Sequence, residues 1–184
     1  MHVMKEWRFV GFDDSFRGNF GCIVGCVTAG TLVEGFMYAE IEVDGLDVTD
    51  KIVTLIRKSK FRNQLKCIFL SGITFGGFNI ADINRIWAET SIPVIVVTRK
   101  KPNFDEIFNA LKNVSDTELR IEIIKRAGRL FKVDNVFIQL AGCDLKDAKI
   151  FVNASKLKGN LPECLKIAHL VASAIIHGES RGKA

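Results

Sequence analysis

Proline is scarce in this sequence, with three residues in 184, and no stretch combines proline, glycine and serine as a linker would. Together with 14 phenylalanines and a 48% hydrophobic composition, this excludes a disordered or low-complexity chain. No internal repeat is visible. No apolar run reaches the roughly 18 residues that a membrane-spanning helix needs, because Lys, Glu, Asp or Gly interrupts each candidate. The stretch Met1–Glu6 has no apolar core, so no secretory leader is expected. Paired cysteines are missing too: Cys22, Cys26, Cys67, Cys143 and Cys164 are odd in number and scattered. Cys22 and Cys26 fall in a strand-like segment, where four residues span roughly 13 Å, too far for a disulfide or a shared metal ion. Buried thiols are expected instead. What these absences leave is one soluble, cytoplasmic domain spanning residues 1–184.

Charge is unevenly placed. Residues 1–50 hold three bases against nine acids, which leaves 23 of the 26 bases and 12 of the 21 acids to the rest. An acidic stretch followed by a basic remainder suits a cation site within a surface that meets a polyanion, although ordinary solvated helix faces would give the same totals. The densest basic clusters are Arg57–Arg62, Arg99-Lys100-Lys101 and Lys125-Arg126 with Arg129 and Lys132.

The pattern of residues predicts strands over Trp7–Phe12, Gly21–Thr28 and Leu32–Val43, joined by short turns such as Ala29-Gly30. The period then changes. Val48, Ile52, Val53, Leu55 and Ile56 have helical spacing. Cys67–Leu70 reads as a strand buried on both faces, and a glycine loop (Gly72, Gly76, Gly77) leads to a helix around Ile80–Ala88. Pro93–Val97 is a second buried strand. Helices follow over Phe104–Leu111 and Glu118–Phe131, a strand over Asn135–Leu140, and a helix over Leu145–Ser155. The last helix opens at Asn160-Leu161-Pro162-Glu163, where Asn160 suits an N-cap, and runs to Gly178. Three antiparallel strands feeding right-handed βα crossovers, with helices on both faces, predict an α/β fold of the ribonuclease H-like class.

In such a sheet, ligands bind at the carboxyl ends of the parallel strands. The first strand is expected to end at Asp13, beside Asp14, with Asp44 and Asp47 at the junction into the first helix. Hard divalent cations need one or two carboxylates plus water and substrate phosphate, so Asp13 with Asp44 or Asp47 forms part of a nuclease-like metal site. Asp44-Gly45 is equally a turn dipeptide, and Asp47 equally a helix cap. The fourth strand ends at Ser71, where this fold would want a second central carboxylate. A hydroxyl cannot supply that charge. Gly72, Gly76, Gly77 and Asn79 in the following loop, with Arg99 and Lys100, are candidate nucleic-acid contacts. The loop matches neither the dinucleotide fingerprint nor the Walker pattern. Phe75 and Phe78 suit core packing or base stacking.

Gly11-Phe12-Asp13-Asp14, Val43–Thr49, Gly72–Asn79, Pro93–Val97, Leu161-Pro162-Glu163 with Ala168-His169, and the closing Gly178–Gly182 resemble a mainly archaeal family, domain of unknown function 99. That family is similar in turn to endonuclease V, a ribonuclease H-like enzyme that uses Mg²⁺ to cut nucleic acid near deaminated bases. The resemblance implies Asp13 as a metal ligand and His169 as a catalytic residue. It sets Ser71-Gly72 against an Asp-Gly of the enzyme, and leaves Asp44, then Asp47, as counterparts of its glutamate. The Pro-Tyr-x-Pro wedge of endonuclease V has no match before Gly35. The resemblance thus implies DNA or RNA as partner, Mg²⁺ or Mn²⁺ as cofactor, and nuclease activity lost or weakened at Ser71. The rival expectations are an active endonuclease in which Asp14, Asp47 or Asp82 supplies the missing ligand, and a protein-interaction module.

Overall fold

Strand β1 (Arg8–Arg17) is apolar on both faces through Phe12, because it runs inside the sheet rather than along its edge. It pairs antiparallel with β2 (Phe20–Ala29), which pairs antiparallel with the edge strand β3 (Leu32–Glu42). Helix α1 (Val48–Lys58) buries Val48, Ile52, Val53 and Ile56 along one stripe and returns the chain to β4 (Leu65–Ser71), parallel to β1. A short hairpin, β5 (Thr74–Phe75) and β6 (Asn79–Ile80), leads into α2 (Ile83–Thr90), and β7 (Val94–Thr98) follows parallel to β4. Helices α3 (Phe104–Leu111) and α4 (Thr117–Arg126) precede the hairpin β8 (Phe131–Val133) and β9 (Val136–Ala141), and β9 runs antiparallel to β7. Helices α5 (Leu145–Ala154) and α6 (Glu163–His177) complete the order. This computed structural model describes residues 7–182, so the Met1–Glu6 expectation lies outside the described residues.

The seven-stranded sheet has the order β3-β2-β1-β4-β7-β9-β8 and separates two apolar layers. One layer packs Val10, Phe12, Ile68 and Leu70 against α1 to α4. The other packs Phe9, Cys67, Phe69 and Val97 against α5 and α6. No helix among the described residues is long and apolar enough to cross a membrane. All five cysteines are free thiols, four of them buried.

Several boundaries differ from the sequence pattern, among them the helix expected around Ile80–Ala88, which starts at Ile83 because Ile80 closes the short hairpin. Strand β1 continues to Arg17; what stops at Asp13 is its pairing with β4, whose last partners are Phe12 and Leu70. The helix expected over Glu118–Phe131 ends at Arg126, since Gly128 turns the chain in the left-handed region and Phe131 joins a strand. Helix α6 begins at Glu163 after an extended Pro162, so Asn160 caps nothing and stands exposed.

Candidate active site

Gly11 decides where α6 can lie. A Cβ there would stand 2.7 Å from the Leu165 nitrogen and 2.8 Å from Cys164, so only glycine lets the helix backbone come down onto β1. One turn beyond Leu165, the helix then sets His169 over Asp13, whose Oδ2 is 3.1 Å from the imidazole Nδ1. Asp13 is only 7% exposed, and its Oδ1 accepts the Asp14 N–H at 2.8 Å. The other imidazole nitrogen, Nε2, lies 3.2 Å from the Arg181 carbonyl oxygen, because the segment after α6 folds back: the Arg181 N–H donates to Ser173 Oγ and Ser180 Oγ donates to the Leu170 carbonyl. Hydrogen bonding to Asp13 pushes the His169 pKa up, against the opposing effect of burial. An imidazolium donates to both oxygens at once; a neutral ring donates to one.

The pairing of Phe12 with Leu70 puts Asp13 level with Ser71 on adjacent strands, and strand alternation turns both toward the α6 layer. Asp13 and His169 are therefore in contact at the carboxyl edge, with Ser71 beside Asp13 on the neighbouring strand. Asp14 points to the opposite layer. Its Oδ2 accepts the Gly76 N–H at 2.7 Å, and burial raises its pKa from 3.8 to about 7, with the Asp13 charge adding to the rise.

The remaining acids organise the glycine loop. Asp44 sits in the left-handed region at φ 56°, and its Oδ1 accepts the Phe78 N–H at 2.9 Å. Asp47 makes no side-chain cap; its Oδ1 accepts from Asn79 Nδ2 at 2.7 Å and from the Glu42 N–H at 3.2 Å. Asp82 caps α2 and pairs with Arg126. These carboxylates are thus spent on loop and helix contacts, and no three His, Cys, Asp or Glu side chains among the described residues converge to hold a metal ion. Of the expected pairing of Asp13 with Asp44 or Asp47, Asp13 contacts His169, whereas Asp44 and Asp47 bind the glycine loop and the β3–α1 junction.

Of the expected nucleic-acid contacts, Asn79 is withdrawn by burial: it is fully buried, accepting the Val48 N–H and donating to the Glu42 carbonyl and Asp47. Gly76 is buried and gives its N–H to Asp14, whereas Gly72 and Gly77 are half-buried and Arg99 and Lys100 are exposed. Phe75 is core, and Phe78 packs against it.

Arg120 escaped the sequence analysis. It is 1% exposed, and its guanidinium donates to the carbonyls of Ser115, Gly45, Asp44 and Phe78, clamping the loop to the β3–α1 junction. The signal was there: Arg120 shares an apolar stripe with Ile124 and Ala127, where a surface arginine has no place.

Residues 5–176 match the family model described as endonuclease dU. The "UPF0215 protein" of Archaeoglobus fulgidus is 56% identical over 181 residues, which cover 98% of this chain and 100% of that protein. A crystal structure of a protein of unknown function from Archaeoglobus fulgidus matches with a TM-score of 0.92 and 54% identity, covering 94% of this chain and 99% of that one. Endonuclease V of Ciona intestinalis, solved with a 23-mer DNA containing an inosine, matches with a TM-score of 0.59 and 12% identity over 92% of this chain and 85% of that one. At that identity the likeness is one of fold: a mixed α/β sheet with helices on both faces.

Proposed function

The chain belongs to the endonuclease dU family, and on that footing we propose that it is a ribonuclease H-like endonuclease that cuts DNA near a deaminated base, with deoxyuridine the base its family's name suggests. The observation that carries this reading is the Asp13–His169 pair at the carboxyl edge, level with Ser71. A buried carboxylate held against a histidine at the carboxyl edge of such a sheet is a recurrent sign of acid–base chemistry.

With Asp13 as the one carboxylate against His169, these residues would hold at most a single hard cation. Asp13 offers a buried, oriented carboxylate, Ser71 a neutral oxygen beside it, and a substrate phosphate with water would complete the shell of Mg²⁺ or Mn²⁺. Such an ion supplies positive charge that stabilises the oxygens of phosphodiester hydrolysis. The chain's own residues do the rest. Asp13 fixes the imidazole through Nδ1, and the Nε2 proton of the imidazolium, which faces the Arg181 carbonyl in this structure, would pass to the departing oxygen as water attacks the phosphorus and the phosphorus–oxygen bond breaks. Asp14, with its pKa near neutrality, anchors the loop when ionised through the Gly76 N–H.

A second reading is favoured by Ser71: with a hydroxyl in place of a central carboxylate, the protein binds its DNA but cuts slowly or not at all. One experiment separates the two. A labelled duplex carrying a single deoxyuridine is incubated with wild type and Asp13→Asn in Mg²⁺ and in Mn²⁺, beside unmodified and inosine-bearing duplexes. Cleavage confined to the deaminated strand and lost in the variant supports the endonuclease. Binding without cleavage supports the second reading, and neither binding nor cleavage removes both.

A further inference from the structure

A cavity of about 260 Å³ opens beside α6, lined by Arg99, Asn135, Lys158, Gly159, Asn160 and Lys166, with Leu161 as its apolar floor. It holds no carboxylate in its wall. Two acids close to the wall in sequence are engaged: Glu163 pairs with Lys166 at 2.5 Å, and Asp134 pairs with Lys156 at 3.2 Å. Lys166 also donates to the Lys158 carbonyl at 2.9 Å, which holds the lysine against the loop. Arg99 and Lys158 are different. Both are exposed, and among the described residues neither side chain makes a hydrogen bond or an ion pair. Two uncompensated cations and two carboxamides therefore line one open pocket.

Its place in the fold ties it to the Asp13–His169 pair already described. Arg99 follows the last residue of β7, the neighbour of β4, and Ser71 pairs with Val97 only two residues earlier. Lys166 and His169 stand three residues apart on α6, less than one helical turn. The cavity and the Asp13–His169 pair thus open on the same edge of the sheet and share a helix as their common wall.

We propose that this cavity seats a backbone phosphate of the nucleic-acid strand whose scissile bond lies at Asp13 and His169, an inference that rests on the nucleic-acid reading above. The chemistry is that of a phosphodiester. Arg99 offers a planar fork of donors, Lys158 a point charge, and Asn135 and Asn160 neutral N–H groups that need no proton lost or gained. The contact carries no base information. It fixes where along the strand the Asp13–His169 pair engages.

The test is the salt dependence of binding, read by fluorescence anisotropy on a labelled single-stranded 20-mer DNA, for wild type and the Arg99→Gln/Lys158→Gln double variant. A charge-matched control, Lys112→Gln/Lys146→Gln, alters two exposed lysines outside the cavity wall. Each lost phosphate contact flattens the plot of log affinity against log salt by about 0.7 for a single strand. One shared phosphate therefore predicts a flattening of about 0.7 in the double variant, with the control close to wild type. Equal slopes in the double variant and wild type, in a wild type that does bind with salt dependence, overturn the cavity alone. A wild type whose binding does not respond to salt overturns the nucleic-acid reading and this inference with it. Inorganic phosphate, titrated by calorimetry, supplies the remaining arm: tight binding that the double variant loses while the DNA slope stays unchanged would mark a free-phosphate site instead.

Discussion

The Nδ1 of His169 stands 3.1 Å from Oδ2 of Asp13, although 156 residues separate them in the chain. The contact exists because Gly11 has no side chain, so a helix from the end of the sequence can rest on the first strand. Two residues of one β-strand thereby set both the height of the histidine and its charge.

Asp13→Asn should lower the titration midpoint of His169, since the carboxylate is the main cause of its raised pKa. Proton NMR can follow it, because the chain has only three histidines. A midpoint unchanged from wild type would show that the pair does not form in solution. On the endonuclease reading, the same variant should also lose at least about a hundredfold in cleavage rate.

Gly11→Ala should lift α6 from β1, as the new Cβ meets backbone rather than a movable side chain. A loss of about 1–3 kcal/mol in urea unfolding is expected. The His169 midpoint should fall as well, which a uniformly loosened protein with an intact pair would not show.

Stability should decline as pH rises, in two windows. Asp14 binds its proton more tightly folded than unfolded, so between about pH 4 and 7 the native state holds more protons and each step up in pH disfavours it. Below that window the effect is absent; above it the loss is complete, on the order of a few kcal/mol. His169 adds a second decline: its stabilisation is whole below about pH 6.5, the unfolded value, and is lost as pH climbs through the higher folded value. Asp14→Asn should raise the melting temperature at pH 8 while leaving it nearly unchanged at pH 4. Equal shifts at both pH values would contradict the raised carboxyl.

Arg120→Met should cost about 3 kcal/mol or more, because four carbonyls lose their shared donor in a buried setting. Arg120→Lys should recover little, for an ammonium cannot reproduce the fork. Urea denaturation measures both; full rescue by lysine would mean that charge rather than geometry holds the loop.

Ser71→Asp should tighten Mn²⁺ binding in calorimetry, since it sets a second carboxylate level with Asp13. If metal affinity stays at the wild-type level, the end of β4 is not part of an ion site.

Much of this was legible in the sequence. The period-two segments through Val43, the helical spacing of Val48 to Ile56 and the buried run Cys67–Leu70 each became the element they suggest, because burial demands follow the period of the backbone. That the pairing of β1 with β4 stops at Asp13, at the carboxyl edge, follows from the strand pattern, whereas the meeting of His169 with Asp13 is legible only through the resemblance and not through periodicity. The turn at Asp44-Gly45 was legible, but the hydrogen-bond partners of Asp44, Asp47 and Asn79 were not. A carboxylate that binds a loop N–H and one that faces solvent look the same in a string of letters, and only the fold decides between them. The stop at Gly128 was passed over because the apolar pattern of α4 continues through Phe131, while the glycine turns the chain into a strand.

Adjacent in sequence, Asp13 and Asp14 look into opposite halves of the molecule, with the strand itself as a septum between them. A substitution at either one therefore disturbs the hydrogen bonds of a single face, the imidazole contact on one side or the loop N–H on the other, and leaves its neighbour's partner in place.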